Sequence, residues 1–172
     1  LGDYVFCGSG IKKADLSQMP VDAALGSNLF KDCKQLASVE FNPDIATLPM
    51  GAFVGCVSLK EFDFSKYRNV TIIPNNMFML SGIESAIIPD GVASIRSSAF
   101  SGSAVKRVTL PASVKTIESG AFEGSQIMTV NLSNVTSIQD NMFNNCKNLT
   151  SVLLNDSISM LGASMFEGCE SL

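Results

Sequence analysis

The segment VKRVTLPASVKTIESGAFEGSQI, residues 105–127, decides the fold, because it is one clean copy of a unit repeated along the whole chain. Its landmarks are Val105, Val108 and Leu110, then Val114 and Ile117, then Phe122 with Gly124 and Ser125 behind it. The aromatic recurs as Phe6, Phe30, Phe53, Phe78, Phe100, Phe122, Phe143 and Phe166, at spacings of 21–25 residues. Five residues ahead of each stands an aliphatic: Leu1, Leu25, Leu48, Ile73, Ile95, Ile117, Ile138 and Leu161. Three residues further back another aliphatic is usual, as in Ile45, Val70 and Ile158, with Asp22 the exception.

After each Phe comes a short link and then a segment of the form L-x-x-V-x-L. Examples are Leu36, Val39 and Phe41, then Ile83, Ala86 and Ile88, then Leu149, Val152 and Leu154. Its last two apolar positions are separated by one residue, the period of a strand with one face buried. One such unit cannot bury its apolar face alone, whereas stacked units bury it as continuous columns. The pattern therefore predicts a repeat solenoid with a parallel β-sheet on its concave face, and short helical turns and extended segments on the other side. Residues 1–172 form a single array of about seven full repeats, with a partial repeat at each end.

The Phe region predicts one helical turn. Asn28, Asn76, Ser98, Asn141 and Ser164, two residues before Phe, suit an N-cap. Gly8, Gly55, Gly102, Gly124 and Gly168, two residues after it, suit a left-handed C-terminal cap, as do Asp32 and Asn145. Leu80 does not, which predicts a differently shaped turn there. Three residues after Phe the chain carries Cys or Ser. Where it is Cys (Cys33, Cys56, Cys146, Cys169), the next strand starts six residues after Phe; where it is Ser, it starts five after.

These residues resemble the BspA-like, Treponema-type leucine-rich repeats, whose pattern is roughly L-x-x-L-x-L-P-x-x-V-x-x-I-x-x-x-A-F-x-G-C-x-x-L. Residues 105–127, with Pro111, and 83–105, with Pro89, carry the likeness best, and it recurs about seven times. The resemblance implies a secreted or surface-displayed protein of a host-associated microbe that binds host matrix or cell-surface molecules. Both termini fall inside repeats, without a polar capping unit, which points to a longer array.

Composition narrows the chemistry. The chain has no His, the commonest general base and zinc ligand, and no G-x-S-x-G motif, so no enzyme is expected. No cofactor is expected either. A net charge of −4 without a basic cluster argues against nucleic acid. No apolar run approaches the roughly 18 residues of a membrane span. The cysteines are expected as core thiols, since C-x-x-C is absent.

The outward strand positions are the candidate binding surface. One column runs Lys13, Ser38, Glu61, Ser85, Arg107, Thr129 and Ser151; its neighbour runs Asp15, Glu40, Asp63, Ile87, Thr109, Asn131 and Leu153. The second column begins acidic and ends with two exposed aliphatics. Like charges repeated along a ladder cost stability. They fit either a cation or basic partner held there, or a solvated face partly neutralised by Lys13 and Lys60. The longer link over residues 65–72 adds Tyr67 and Arg68, types enriched at binding hot spots. Together these residues predict a non-catalytic module binding a protein or glycan of a host cell or matrix. The alternative is a structural spacer that self-associates through Ile87 and Leu153.

Overall fold

The computed structural model describes residues 1–158 and 160–172. The chain winds into a solenoid whose coils, numbered one to seven, each run from one strand segment through the Phe turn to the start of the next. Coil three covers residues 59–82 and coil four residues 83–104. Strands β1 (Lys13–Leu16) and β2 (Ser38–Phe41) pair in parallel, with Lys13 opposite Ser38 and Asp15 opposite Glu40. Further along, β4 (Ser85–Ile87), β6 (Arg107–Thr109), β8 (Thr129–Asn131) and β10 (Ser151–Leu153) form a four-stranded parallel sheet. A second four-stranded sheet joins β3 (Ile72–Ile73), β5 (Ser94–Ile95), β7 (Thr116–Ile117) and β9 (Ser137–Ile138). Its inward residues Ile73, Ile95 and Ile117 are the aliphatics five before Phe, fully buried.

The Phe region forms the third side, and it is not helical. Successive turns close on it: in coil four Ser101 donates its N–H to the Ser98 carbonyl and Ser103 to that of Phe100. The residue two before Phe has positive φ in every coil, including Asn28 (57°), Asn76 (56°), Ser98 (55°), Asn141 (56°) and Ser164 (49°). An N-cap is extended, so the cap assignment is wrong: these residues occupy the left-handed corner of a turn. Asn enters that region at modest cost, and Ser does so here as well. The residue two after Phe is left-handed as expected, and Leu80 (φ 57°) adopts the same conformation as its glycine counterparts. That turn is not differently shaped; Leu80 carries the strain.

This side is tied by its own ladder. In coil four Ser98, Phe100 and Gly102 donate N–H to the carbonyls of Ser119, Ala121 and Glu123 in the next coil, at 3.1, 2.8 and 2.7 Å. The same three bonds recur at every junction between successive Phe turns, at 2.7–3.1 Å throughout. Behind the ladder the Phe rings stack, with neighbouring centroids 5.1–6.0 Å apart and planes within 25°.

The Cys and Ser variants acquire a physical basis. The thiols of Cys33, Cys56, Cys146 and Cys169 reach back to the preceding coil's Phe carbonyl at 2.8–3.0 Å. Ser103 instead donates to Phe100 in its own coil at 2.7 Å. In the Cys variant the added link residue closes another turn, as from Leu36 N–H to the Cys33 carbonyl. In the Ser variant the residue after Ser bonds the preceding coil, as Ala104 does to Ser81.

The concave sheet is not continuous. Coil three supplies Phe62 and Phe64 at the inward positions, and Phe64–Lys66 turns into a 3-10 helix. No backbone hydrogen bond joins residues 61–64 to β2 or β4; the nearest is Glu84 N–H to the Lys60 carbonyl, at 3.1 Å. The Phe62 and Phe64 rings pack instead on each other and on Phe53, Tyr67 and Phe78. The Phe side and its stacked column carry the array across this break, with the β3–β5 pairing adding to it between coils three and four. Phe100→Ala, at the middle of that column, is expected to lose about 3–5 kcal/mol of unfolding free energy in urea denaturation. A loss under about 1 kcal/mol would show that the column is not a principal support.

Candidate binding surface

The two sheet columns project outward as the alternation requires. Lys13, Glu61, Arg107, Asp15, Asp63, Asn131, Ile87 and Leu153 are exposed, while Glu40 is half-buried. Ile87 is 72% and Leu153 56% accessible. The acidic members are not equivalent. Asp15 Oδ1 accepts the backbone N–H of Ser17 at 2.9 Å, and Asp63 Oδ1 that of Ser65 at 3.0 Å. Asn131 does the same for Ser133 at 2.9 Å. Asp15 and Asn131 thereby close the turn that ends their strands and Asp63 caps the 3-10 helix, a local role open to Asp and Asn alike. The bonds from Ser17 hold the Asp15 carboxyl below its usual range. Glu40 pairs with Lys66 at 2.7 Å. Neutralisation of the column therefore comes from Lys66; Lys60 turns to Glu84 at 3.7 Å, and Lys13 forms no ion pair among the described residues.

Tyr67 was expected as an exposed anchor, and the structure overturns this: it is 2% accessible. Its hydroxyl accepts the N–H of Phe41 at 3.2 Å. In the intact sheet that position bonds the next coil, as Ile88 N–H bonds the Thr109 carbonyl. Where coil three withdraws, the tyrosine substitutes for the missing carbonyl, and burial raises its hydroxyl pKa. Arg68 beside it remains exposed, apart from the two columns.

A third row was missed. Lys60, Glu84, Lys106 and Met128 occupy the position just before the first column, and Glu84 bridges Lys60 at 3.7 Å and Lys106 at 3.3 Å. The alternation of sign at equivalent repeat positions was the available signal. With every partner about half-exposed, such pairs contribute at most ~1 kcal/mol each. This row and Arg107 border a shallow 440 Å3 depression on the sheet. Two further hollows flank coil three: one of 220 Å3 against β2 and one of 370 Å3 against β4.

The five cysteines are free, with Cys33, Cys56 and Cys146 buried, Cys169 half-buried and Cys7 exposed. Burial pushes the Cys56 thiol up to about 12 and that of Cys146 up to about 11. Among the described residues no three Cys, Asp or Glu side chains converge as a metal site would need.

The sequence pattern described as the BspA type leucine rich repeat region matches in six copies, over residues 1–101 and 71–172. A leucine-rich repeat protein of Bacteroides ovatus is similar in structure, with a TM-score of 0.79 and 25% identity, over 99% of this chain and 50% of that one. A leucine rich cell surface protein of Faecalibacterium prausnitzii matches with a TM-score of 0.67 and 26% identity, over 88% of this chain and 41% of that one. The leucine-rich repeat protein of Treponema pallidum, at 22% identity and a TM-score of 0.59, shares the fold, over 100% of this chain and 70% of that one. This chain thus spans about half the length of the first of these structures. No curated protein matches it in sequence.

The raised thiol pKa values fix the sign of a pH effect. A neutral Cys146 thiol stabilises the fold fully below the ordinary thiol value of 9.0, and that contribution is lost as pH rises through about 11. The stability gap between the native chain and Cys146→Ala should narrow by about 1.4 kcal/mol per pH unit between those limits. A gap independent of pH would mean the thiol is not held protonated.

Proposed function

This chain belongs to the BspA-type leucine-rich repeat family, and from that premise we propose that it is a non-catalytic recognition segment of a cell-surface or secreted protein. Its concave sheet binds a macromolecule of a host cell or extracellular matrix. The observation that carries the proposal is the contrast between interior and surface. The inward positions are apolar throughout, Val, Ile, Leu, Phe or Ala, while the outward columns change from Lys, Asp and Glu to Ile, Thr, Asn and Leu. Core packing demands the first and leaves the second free, which is how a solenoid presents one scaffold to many ligands. Support for a surface location comes from the neighbour described as a leucine rich cell surface protein. A catalytic role has no support in the side chains: His is absent, and among the described residues no three Cys, Asp or Glu side chains are grouped to hold a metal ion.

The test is saturable binding of the whole chain to immobilised matrix proteins and host-cell glycans. A variant with Asp15 and Asp63 changed to Asn and Glu40 to Gln is measured alongside. Asn can still accept the turn hydrogen bond, as Asn131 does, so the variant keeps the fold and loses only charge. Binding weakened tenfold or so in the variant is expected if the acidic end is the contact. Concentration-dependent self-association with no binding to any of these probes would replace this proposal by the spacer reading, with Ile87 and Leu153 as the contact.

A further inference from the structure

We infer that the hollow between coil three and β4 receives an extended, basic polypeptide segment, which pairs with the open edge of β4. The inference rests on the proposal that the concave face binds protein, and it names the subsite and the chemistry of its occupant.

The first support is an unfinished hydrogen-bond ladder. Along β4, Ile88 donates its N–H forward to Thr109, so alternation turns the N–H and C=O groups of Ser85 and Ile87 back toward coil three. There they meet no backbone partner, because residues 61–64 have withdrawn into the aromatic cluster around Phe62 and Phe64. The corresponding edge of β2 has a substitute in the Tyr67 hydroxyl, which accepts the Phe41 N–H. Among the described residues no side chain substitutes in this way for the partners of Ser85 and Ile87 on the β4 edge. An unpaired strand edge is a template for another extended chain, and backbone pairing favours a polypeptide over a glycan.

The second support is space. The 370 Å3 hollow lies along this edge, between Phe62 and Phe64 on one side and Ser85, Ile87 and Pro89 on the other. Its volume falls in the roughly 300–1,000 Å3 range of ligand pockets. Ile87, at 72% accessibility, is the most exposed aliphatic of the sheet. Apolar side chains of the incoming segment would cover it.

Charge then selects the occupant. Glu61 and Asp63 also line the hollow, and neither forms an ion pair among the described residues. They stand two positions apart on an extended segment, about 6.6 Å. Basic residues at positions i and i+2 of a bound strand have the same separation, with the intervening side chain directed to the opposite face. Lys or Arg stems can lie along Ile87 and Pro89 while their charges reach the two carboxylates. An acidic segment or a sulfated glycan would meet two carboxylates of like charge.

The experiment uses the 15N-labelled full chain and a blocked hexapeptide of alternating lysine and valine. Saturable amide shifts are expected at Ser85, Ile87 and residues 61–64. A glutamate–valine counterpart should produce none, and N-methylation of alternate peptide amides should weaken binding about tenfold or more, because it removes the pairing N–H groups. Glu61→Gln combined with Asp63→Asn should weaken it by about tenfold as well. Shifts distributed equally over Asp15 and Glu40, or binding indifferent to N-methylation, would overturn the subsite and leave only general attraction to the acidic end. Absence of any shift would also overturn it. Neither result touches the wider proposal, which stands or falls on saturable binding to matrix proteins and host-cell glycans.

Discussion

The backbone ladder on the Phe side is the constraint on which the rest of this solenoid depends. At each junction three N–H groups of one coil, that of the Phe among them, bond three carbonyls of the next. These bonds fix the rise from coil to coil, and the Phe rings, stacked just inside, fix the same rise from the interior. The geometry asks for left-handed corners two residues before and two after the Phe. Glycine, Asn and Asp fill most of them, since they bear positive φ at least cost. Given that side of the solenoid, the concave strand is held even where its own hydrogen bonds lapse. Coil three shows this: it loses its ladder to β2 and β4 while Phe53, Phe78 and Phe100 continue the column undisturbed.

The sequence was legible wherever a rule had a fixed period. The buried columns, the outward columns and the left-handed position after the Phe could all be read from spacing, because one residue's burial follows directly from its repeat position. The position before the Phe could not. Asn and Ser serve equally as a helix N-cap or as a left-handed corner, and only the φ values separate the two. Tyr67 failed for another reason. Its place depends on whether Phe41, 26 residues earlier, finds a carbonyl in coil three, and nothing local records that. Asp15 and Asp63 looked like free acids; closing a turn or capping the 3-10 helix is a second use of the same side chain.

The surface follows from the same division of labour. Because the ladder and the core hold the coils, the outward residues carry little of the fold's stability, and their exposed ion pairs contribute little more. They can therefore vary from coil to coil without loss of the scaffold. The face is chemically graded as a result: acids with a paired Lys66 near coils one to three, the Lys60–Glu84–Lys106 row beside it, and Ile87 and Leu153 beyond. The split at coil three lies where the acidic and apolar stretches meet.

Native-state hydrogen exchange of the full chain tests the central claim most directly, that the Phe-side ladder carries the array across a break in the concave sheet. Strong, similar protection is predicted for the amides of Phe53, Phe78 and Phe100, with fast exchange at Ser85, Ile87 and residues 61–64. Uniform protection across β2, coil three and β4 would contradict the break. Weak protection of Phe78 relative to Phe100 would contradict the continuity of the ladder.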